Sequence, residues 1–387
     1  MNKQSLLIGI ICLVGFLEAV IYGFSFPFFS LALEDMNLSP FLIGLNASVG
    51  TVGVLFFAPF FPKLIIVLGY RNFSMLCFGG VIFTCFGKLL TAGLISWFIF
   101  RLLLGAFLSG LWTASEAWLN ASITNEKIRG RTNAIFQALY SFGFFIGPNA
   151  IYITGFEGVK PVLFMLALGS VALAALILAV ANKRSTLGSH TTVPYSTIKS
   201  ARFPLCVALL VGICETAIYS LLPIYGIEKG LSTNLAVSIL VAYTFGEVII
   251  ALPIGWLADI MDRRKLMIYC SILASVFVFL FTFPVKSHLG IWFISAIAGG
   301  LVVSLYNLAL VLIGEKYNQI HLPVVSTAFS IFYSVGSFMG ASVGGSAMGL
   351  FGFIGLPGVI SSMLLIFALL MLFGSLGRSW FKTLPEA

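Results

Sequence analysis

The stretch VGFLEAVIY at residues 14–22 has a second copy, VGICETAIY, at residues 211–219. Each copy places a glutamate, Glu18 or Glu215, near the middle of a long apolar run, with Tyr22 or Tyr219 four residues further along. A carboxylate is expensive in such a setting, because hydrocarbon solvates charge poorly. Two intramembrane acids at matching points of two halves predict a chain that moves a solute across a membrane.

The composition indicates an all-α integral membrane protein. Hydrophobic residues make up 60% of the chain and charged residues 9%, whereas soluble domains carry about 25% charged residues. Apolar runs of about 20 residues, each long enough to cross a bilayer as a helix, recur along the whole sequence. We predict twelve transmembrane helices, near residues 5–33, 41–62, 73–93, 95–121, 132–154, 160–181, 204–226, 233–257, 266–285, 289–314, 323–349 and 353–374.

The distribution of basic residues predicts the orientation. With both termini in the cytoplasm, only Lys160, Lys229 and Lys286 fall in outer loops, and this asymmetry follows the positive-inside rule. We therefore expect a multi-pass protein of the bacterial inner (plasma) membrane. Sixteen basic residues fall in cytoplasmic segments: Lys3, Lys63, Arg71, Lys127, Arg129, Arg131, Lys183, Arg184, Lys199, Arg202, Arg263, Arg264, Lys265, Lys316, Arg378 and Lys382.

An internal repeat divides the chain into two pseudo-symmetric halves. The polar stretch 182–203 separates six predicted helices from six, so we predict an N-terminal bundle at 1–181, a cytoplasmic linker at 182–203 and a C-terminal bundle at 204–387. Parallel six-helix repeats of this kind are typical of one large transporter architecture. At an offset of 193 residues, Gly53, Arg71, Phe136, Tyr140, Gly143 and Gly147 match Gly246, Arg264, Phe329, Tyr333, Gly336 and Gly340.

Metal, cofactor and enzyme chemistry have little support in the sequence. The six cysteines lie in apolar runs without CxxC spacing, and no histidine lies inside a predicted helix. The cysteines are therefore interpreted as small hydrophobic packing residues. No GxxxxGK[ST] phosphate loop is present, and no cluster suggests an integral membrane enzyme. We expect no cofactor and no metal, and energy from an ion gradient or from the gradient of the substrate.

A charged turn follows the eighth predicted helix: Gly255-Trp-Leu-Ala-Asp259-Ile-Met-Asp262-Arg263-Arg264-Lys265. It resembles the cytoplasmic signature of the major facilitator superfamily. We predict a cytoplasmic gate formed by Gly255, Asp259, Arg263 and Arg264, together with Arg71 from the first half. The alternative, anchoring by the positive-inside rule, explains the basic residues but not Asp259. The first half keeps Gly69 and Arg71 but has Ile66 where the family often has aspartate.

Further motifs extend the resemblance from about residue 10 to 370. Arg101-x-x-x-Gly105 resembles a motif that is frequent in proton-coupled members, although an arginine extended to the interface is an alternative. Gly147-Pro148 resembles an element of antiporters and points to export. The segment SEAWLN at 115–120, with Arg129-Gly130-Arg131 after it, is similar to the YcaD-like branch of the bacterial major facilitators. This resemblance implies the fold and the class but supplies no substrate.

The first, fourth, seventh and tenth helices line the central cavity in this superfamily, as the resemblance implies. We predict that Glu18 and Glu215 include the proton-coupling group, because burial favours a neutral carboxyl and a nearby cation favours the ionised form. The alternative is that these acids are hydrogen-bonded across helices for packing alone. The predicted substrate pathway comprises Tyr22, Arg101, Trp112, Glu116, Asn120, Tyr219, Tyr243, Glu247, Tyr306 and Asn307.

These observations favour a secondary active transporter that works by alternating access on a small solute. Proton-coupled export by H+ antiport is the first hypothesis, and proton-coupled uptake by symport is the second. A non-transporting membrane receptor or scaffold is a third hypothesis, against which the cost of idle buried charges argues. Six plus six helices can enclose a pathway within one chain, so we expect a monomer whose partners are its solute, protons and the lipid bilayer.

Overall fold

The computed structural model describes residues 3–91, 93–123, 126–179, 201–283, 287–317 and 322–373. The predicted linker 182–203 lies outside these ranges except for its last three residues. Several residues of the topology prediction also lie outside the described residues, namely Lys183, Arg184, Lys199, Lys286, Arg378 and Lys382, and the side chains of Lys3, Lys127 and Arg129 are not described.

Every described element is helical. The helices are α1 Lys3–Asp35, α2 Pro40–Leu68, α3 Tyr70–Leu90, α4 Leu94–Ser122, α5 Glu126–Asn149, α6 Lys160–Leu178, α7 Arg202–Glu228, α8 Thr233–Ile260, α9 Arg263–Phe279, α10 His288–Lys316, α11 Leu322–Phe351 and α12 Gly355–Leu372. Short helical pieces interrupt or extend them, namely a 3-10 turn at Ala58–Phe60 within α2, Ile151–Thr154 after α5, Leu280–Thr282 after α9 and Gly352–Ile354 before α12.

The prediction of an all-α membrane fold is confirmed, whereas the number of twelve crossings stays a prediction. Ten stretches of the described chain are long and apolar enough to cross a membrane. Two features account for the difference. Helix α9 has 17 residues, and α11 and α12 form one apolar stretch, Val325–Leu372, of 48 residues. A straight helix of that length would measure about 72 Å, against a hydrocarbon core of about 30 Å, and Gly352 has a φ of 64° between the two helices.

The chain divides into two compact units. The first comprises Met1–Ala32 and Val49–His190, and the second comprises Leu33–Ser48 and Thr191–Ala387. The segment Leu33–Ser48 groups with the second unit because the start of α2 packs closely on α11. A Cβ at Gly44 would collide with the carbonyl of Ala341, and the hydroxyls of Ser48 and Ser342 lie 2.8 Å apart. The predicted boundaries at 181 and 204 stay a prediction.

Glycines bring the acid-bearing helix of each unit against its neighbour. In the first unit, a Cβ at Gly147 on α5 would lie 2.6 Å from the carbonyl oxygen of Val20 on α1. In the second unit, a Cβ at Gly340 on α11 would meet the backbone of Ile213 on α7, with 2.8 Å to its carbonyl carbon. Small residues permit such backbone contact between membrane helices. The close approach places side chains of α5 and α11 beside Glu18 and Glu215.

Candidate functional site

The first acid lies at the contact between α1 and α5. Glu18 is 1% exposed, and the hydroxyl of Tyr140 on α5 donates to its Oε1 at 3.2 Å. Its other oxygen, Oε2, is buried and has no hydrogen-bond partner among the described residues. One oxygen of this carboxyl group is therefore held and the other is free.

Aromatic rings enclose the tyrosine that binds this acid. The ring of Trp112 on α4 packs edge-on against Tyr140, with 4.3 Å between centroids, and Phe136 lies 5.9 Å from Trp112. Edge-to-face pairs at this separation stabilise one another beyond simple area burial. The rings consequently restrict the phenol to the position from which it donates to Glu18.

The second unit repeats this arrangement. Glu215 is 5% exposed, and the hydroxyl of Tyr333 on α11 donates to its Oε2 at 2.7 Å. Tyr306 on α10 takes the place of Trp112, with its ring 5.4 Å from Tyr333 and 5.0 Å from Phe329. The sequence repeat matched Phe136 and Tyr140 with Phe329 and Tyr333, and the structure shows that the matched residues surround the matched acids.

The second unit adds another carboxylate. The hydroxyl of Tyr219 donates to Oε1 of Glu247 on α8 at 2.6 Å, and the ring of Tyr243 lies 6.0 Å from that of Tyr219. Tyr243 is 0% exposed and its hydroxyl has no hydrogen-bond partner in the described part of the chain. At the repeat offset of 193 residues, the first unit has Val54 in place of Glu247 and Gly50 in place of Tyr243. The two acid sites are therefore not equivalent.

Arg101 on α4 is enclosed by α1 and α2 of the first unit. It is 4% exposed, and its Nη1 donates to Oγ of Ser25 at 3.1 Å. Its guanidinium lies over the rings of Phe26 and Phe29, 4.9 and 4.8 Å from their centroids. Within the described residues no carboxylate lies within 4.0 Å of it. A side chain extended to the membrane interface does not fit this burial.

Gly50 on α2 makes room for that guanidinium, because a Cβ there would stand 3.1 Å from Nε of Arg101. Tyr22 lies on the same face of α1 as Glu18 and Ser25, and its ring packs 5.1 Å from Phe26. The structure thus brings the predicted residues Tyr22 and Arg101 into one neighbourhood.

The remaining predicted pathway residues lie less deeply. Glu116 is exposed, and Asn120, one turn further along α4, donates to the backbone carbonyl of Glu116 at 3.0 Å and accepts from Asn133 at 2.9 Å. Asn307 is exposed next to the half-buried Tyr306. The structure does not bring Glu116 or Asn307 to the acid–tyrosine contacts.

The predicted gate residues of the second unit lie at the turn between α8 and α9. Gly255 and Asp259 are exposed, and Asp259 forms no ion pair among the described residues. Arg263 instead forms an ion pair with Glu315 at the end of α10 and donates from Nε to the carbonyl of Ala258 at 3.3 Å. This pair ties the ends of three helices together.

Arg71 and Arg264, matched by the repeat, make matching contacts. Arg71 donates to the carbonyl of Ile177 at the end of α6, at 3.5 Å. Arg264 donates to the carbonyl of Met371 at the end of α12, at 2.5 Å. A cation at a helix C-terminus satisfies carbonyls that have no partner within the helix. Each arginine thus closes the last helix of its own unit.

Sequence reasoning missed three residues of the site. Tyr140 and Tyr333 enter the sequence argument only as matched positions of the repeat. The signal that could have identified them is their similar distance from the acid of their own half, 122 and 118 residues. Glu315 carries no comparable signal, because it lies beside Lys316 and adjacent opposite charges are ordinary at a membrane surface. Within the described ranges no group of three His, Cys, Asp or Glu residues could hold a metal ion.

Solved structures of transporters share this fold. A mutant of the nucleoside transporter NupG superposes with a TM-score of 0.82 at 12% identity, covering 95% of this chain and 100% of that one. A bacterial homolog of the human lysosomal transporter Spinster, inward-facing and unoccupied, gives a TM-score of 0.75 at 13% identity, covering 100% of this chain and 99% of that one.

Sequence comparison identifies the family. The family model described as Major Facilitator Superfamily matches residues 11–242 and 205–386, so the chain belongs to the major facilitator superfamily. It is 26% identical over 333 residues, 84% of either chain, to the uncharacterized MFS-type transporter YfkF of Bacillus subtilis. It is 27% identical over 265 residues, 67% of either chain, to the uncharacterized MFS-type transporter YcaD of Escherichia coli strain K12. The resemblance to the YcaD-like branch is confirmed.

Proposed function

We propose that this protein exports a small solute in exchange for protons, as a secondary active transporter working by alternating access. The observation that carries the proposal is the duplicated contact of a buried glutamate with a tyrosine, Glu18 with Tyr140 and Glu215 with Tyr333. A carboxylate within a membrane is costly when ionised, and proton-driven transport requires a group that changes protonation.

The geometry suits a carboxyl group that alternates between two protonation states. In Glu18, Oε1 accepts from Tyr140, and this hydrogen bond persists whether the acid is ionised or neutral. The free Oε2 is the atom that takes the proton. The tyrosine therefore fixes the orientation of the acid, while protonation changes only its charge and hence the free energy of exposing it to either side of the membrane.

The ion pair of Arg263 with Glu315 belongs to the proposed cytoplasmic gate. Gly255 and Asp259 lie near the end of α8, about two turns and one turn before Arg263 in sequence. The Arg71 and Arg264 caps close the sixth and last helices of the two units. Interactions that exist in only one state of a transporter shift the equilibrium between states by their differential free energy. We assign this role to the ion pair and a positioning role to the two caps.

The setting that goes with this function is the bacterial inner membrane, with both termini cytoplasmic and the chain working as a monomer. The charge asymmetry of the loops supports the orientation. Transport by this mechanism involves no chemical conversion, so the protein is not proposed to be an enzyme. Proton-coupled uptake is the alternative, because the same acids serve symport.

The decisive experiment uses proteoliposomes loaded with a solute that a thermal-shift screen on the purified protein identifies. We expect an imposed pH gradient to drive that solute against its concentration gradient, and a pH dye to report protons moving in the opposite direction. Glu18→Gln and Glu215→Gln should each abolish proton-driven flux and retain counterflow exchange of the solute. Glu157→Gln, which changes an exposed loop glutamate, serves as the control.

The result that overturns the coupling assignment is proton-driven flux that persists in both glutamine variants at the level of the control. Protons and solute that move in the same direction would favour uptake. Neither flux nor binding for any solute would favour a receptor or scaffold.

A further inference from the structure

The second unit contains two neighbouring acids, the buried Glu215 and the half-buried Glu247. Glu215 and Tyr219 lie one turn apart on α7, on the same face, and the hydroxyl of Tyr219 donates to Glu247 at 2.6 Å. Tyr219 therefore lies next to both carboxylates. In the first unit the position that corresponds to Glu247 is Val54. The additional negative charge is therefore specific to the second unit.

The helices around these acids supply no positive charge away from their ends. The sequence has no Lys, Arg or His in 203–228, 230–262, 289–315 or 325–372. Among the described residues no basic group lies within 4.0 Å of Glu215 or Glu247. Two neighbouring buried carboxylates cannot both be ionised at low cost unless a cation joins them. The pair thus requires either protons or a cation from outside the unit.

The same cluster has the aromatic surface that suits an organic cation. The rings of Tyr219 and Tyr243 lie 6.0 Å apart and those of Tyr306 and Tyr333 5.4 Å apart, and faces of such rings attract ammonium groups. Tyr243 supplies an independent sign of a ligand. Its hydroxyl is fully buried without a hydrogen-bond partner in the described chain, and Tyr243 lies one turn before Glu247 on the same face of α8.

The cluster is open rather than sealed. Glu247 and Tyr306 are half-buried, and Asn307 next to Tyr306 is exposed. Of the two acids, Glu247 is therefore the one that is partly accessible from the surface, and Glu215 lies deeper. Two carboxylates can attract a positively charged nitrogen, and the phenol rings can contact its carbon substituents. The unpaired hydroxyl of Tyr243 can accept a hydrogen bond from an N–H group.

We propose that the second unit binds an organic cation, a protonated or quaternary amine, with its charge between Glu215 and Glu247 and its carbon groups against Tyr219, Tyr243 and Tyr306. The idea that this cation is the transported substrate rests on the proposed function, whereas the idea that it binds here does not. A monocation that enters displaces one proton from the acid pair to water, so that charge balances. Displacement of this kind makes cation and proton binding mutually exclusive, as an exchanger requires.

The test is binding to the purified full-length protein in detergent at pH 7. The probes are benzylamine, benzyltrimethylammonium and tetraphenylphosphonium, with benzyl alcohol and benzoate as the neutral and anionic counterparts, each measured by calorimetry. We expect saturable binding of at least one cation, no binding of the counterparts and release of about one proton per bound cation. Glu247→Gln should weaken that binding by on the order of thirtyfold or more, and the exposed change Glu157→Gln should not.

Tyr243→Phe provides a second variant that retains both acids. It should weaken binding of a primary amine, which can donate to the hydroxyl oxygen, more than binding of a quaternary amine, which cannot. This difference does not depend on whether the glutamine variants fold. Tyr269→Phe, at an exposed position on α9, is its control.

Several results would overturn the site. These are no binding by any cation, equal binding of benzyl alcohol, full competition by sodium or potassium ions alone, or cation binding unchanged in Glu215→Gln and Glu247→Gln. Failure of the site is distinct from failure of the transport proposal. Cation binding without proton-driven flux keeps the site and removes the coupling, whereas proton-driven flux of an uncharged solute without cation binding does the reverse.

Discussion

Charged side chains in this protein have different kinds of hydrogen-bond partner. The cations at helix ends bind backbone carbonyls: Lys229 donates to the carbonyls of Phe281 and Phe283 at 2.9 and 2.7 Å, and Arg71 and Arg264 act similarly in their own units. Buried acids have tyrosine donors instead of cations. A carboxylate held by a neutral donor retains freedom to change its charge, which a salt bridge would restrict.

The tyrosine hydroxyls should stabilise the acids measurably. Tyr140→Phe and Tyr333→Phe each remove one hydrogen bond and leave a buried carboxyl oxygen without a donor. We expect each variant to lose about 0.6–2 kcal/mol of stability, the range for hydrogen bonds between membrane helices, and to melt at a lower temperature in a fluorescence assay. Tyr269→Phe, which changes an exposed phenol, should melt like the unchanged protein.

An equal loss in all three variants would show that the hydroxyls of Tyr140 and Tyr333 contribute nothing beyond ring packing. A larger loss for Tyr333→Phe than for Tyr140→Phe is also expected, because the hydrogen bond to Glu215 is shorter, 2.7 Å against 3.2 Å.

Sequence reasoning identified the acids but not their partners, for a physical reason. Glu18 and Glu215 are conspicuous because a carboxylate in an apolar run has a known cost. A tyrosine in the same run has none, since its ring is apolar and its hydroxyl is satisfied in many environments. Which tyrosine meets which acid depends on the rotation of α5 and α11 about their axes, and single-sequence periodicity does not determine that rotation.

At the scale of elements, α7 and α2 differ in how much of each helix is buried. In the most apolar window of α7, 89% of residues are buried inside the protein, against 17% in α2. A helix that touches protein on all sides packs by backbone proximity, and Gly212, Gly336 and Gly340 provide this between α7 and α11. Gly336 and Gly340 are four residues apart, a spacing of small residues that permits close helix contact.

The contact between α7 and α11 should be intolerant of one added methyl group. In Gly340→Ala the new Cβ would lie 2.8 Å from backbone carbon atoms of Ile213, and backbone cannot rotate away as a side chain can. We expect a loss of about 1–3 kcal/mol from overpacking, seen as a lower melting temperature. The matched control is Gly349→Ala in the same helix, where nothing lies within 4 Å.

Gly349→Ala should stabilise α11 by up to about 1 kcal/mol, because alanine has the higher helix propensity. The two substitutions are chemically identical and should move the melting temperature in opposite directions. Identical shifts would mean that helix propensity, not contact with α7, governs this helix.

The turn between α2 and α3 and the matching turn between α8 and α9 contain different residues. Gly69 has a φ of 78° between α2 and α3, a conformation that glycine adopts without strain. At the corresponding place in the second unit, Asp262 caps α9 and accepts from the backbone N–H of Lys265 at 2.8 Å. The different residues at Gly69 and Asp262 thus make the same turn by different means. That Arg263 binds Glu315 rather than Asp259 could not be predicted, because exposed charges choose partners by tertiary geometry.

For the molecule as a whole, the ion pair of Arg263 with Glu315 should affect the transport cycle more than stability. Both side chains are partly exposed, 23% and 34%, and such pairs contribute about 0–1 kcal/mol. We expect Glu315→Gln to melt within about 1 kcal/mol of the unchanged protein and to alter the rate of counterflow in proteoliposomes.

The exchange of charges tests this assignment directly. Arg263→Glu combined with Glu315→Arg restores an attractive pair and should return counterflow toward the original rate, whereas each single change should not. Counterflow rates that follow the net charge of this surface, rather than the presence of an ion pair, would contradict the gate role proposed for Arg263 and Glu315.

The orientation of the entire chain predicts which thiols an impermeant maleimide reaches. After replacement of the six natural cysteines, Ser196→Cys in the predicted linker should react in inverted membrane vesicles and not in intact cells. Glu157→Cys, in the loop between α5 and α6, should react in intact cells and not in inverted vesicles. Reaction of both from the same side would invalidate the predicted arrangement of crossings.

The spacing between each acid and its tyrosine has a consequence for synthesis of the chain. Tyr140 follows Glu18 by 122 residues and Tyr333 follows Glu215 by 118. At a translation rate of about 5–20 residues per second, each acid waits on the order of 6–24 s before the phenol that will hold it has left the ribosome. During that delay an ionised carboxylate in lipid would cost about 2.5–3.5 kcal/mol. Nascent α1 and α7 therefore enter the bilayer at a disadvantage that later segments remove, and insertion machinery that retains early helices until late ones arrive would benefit both halves equally.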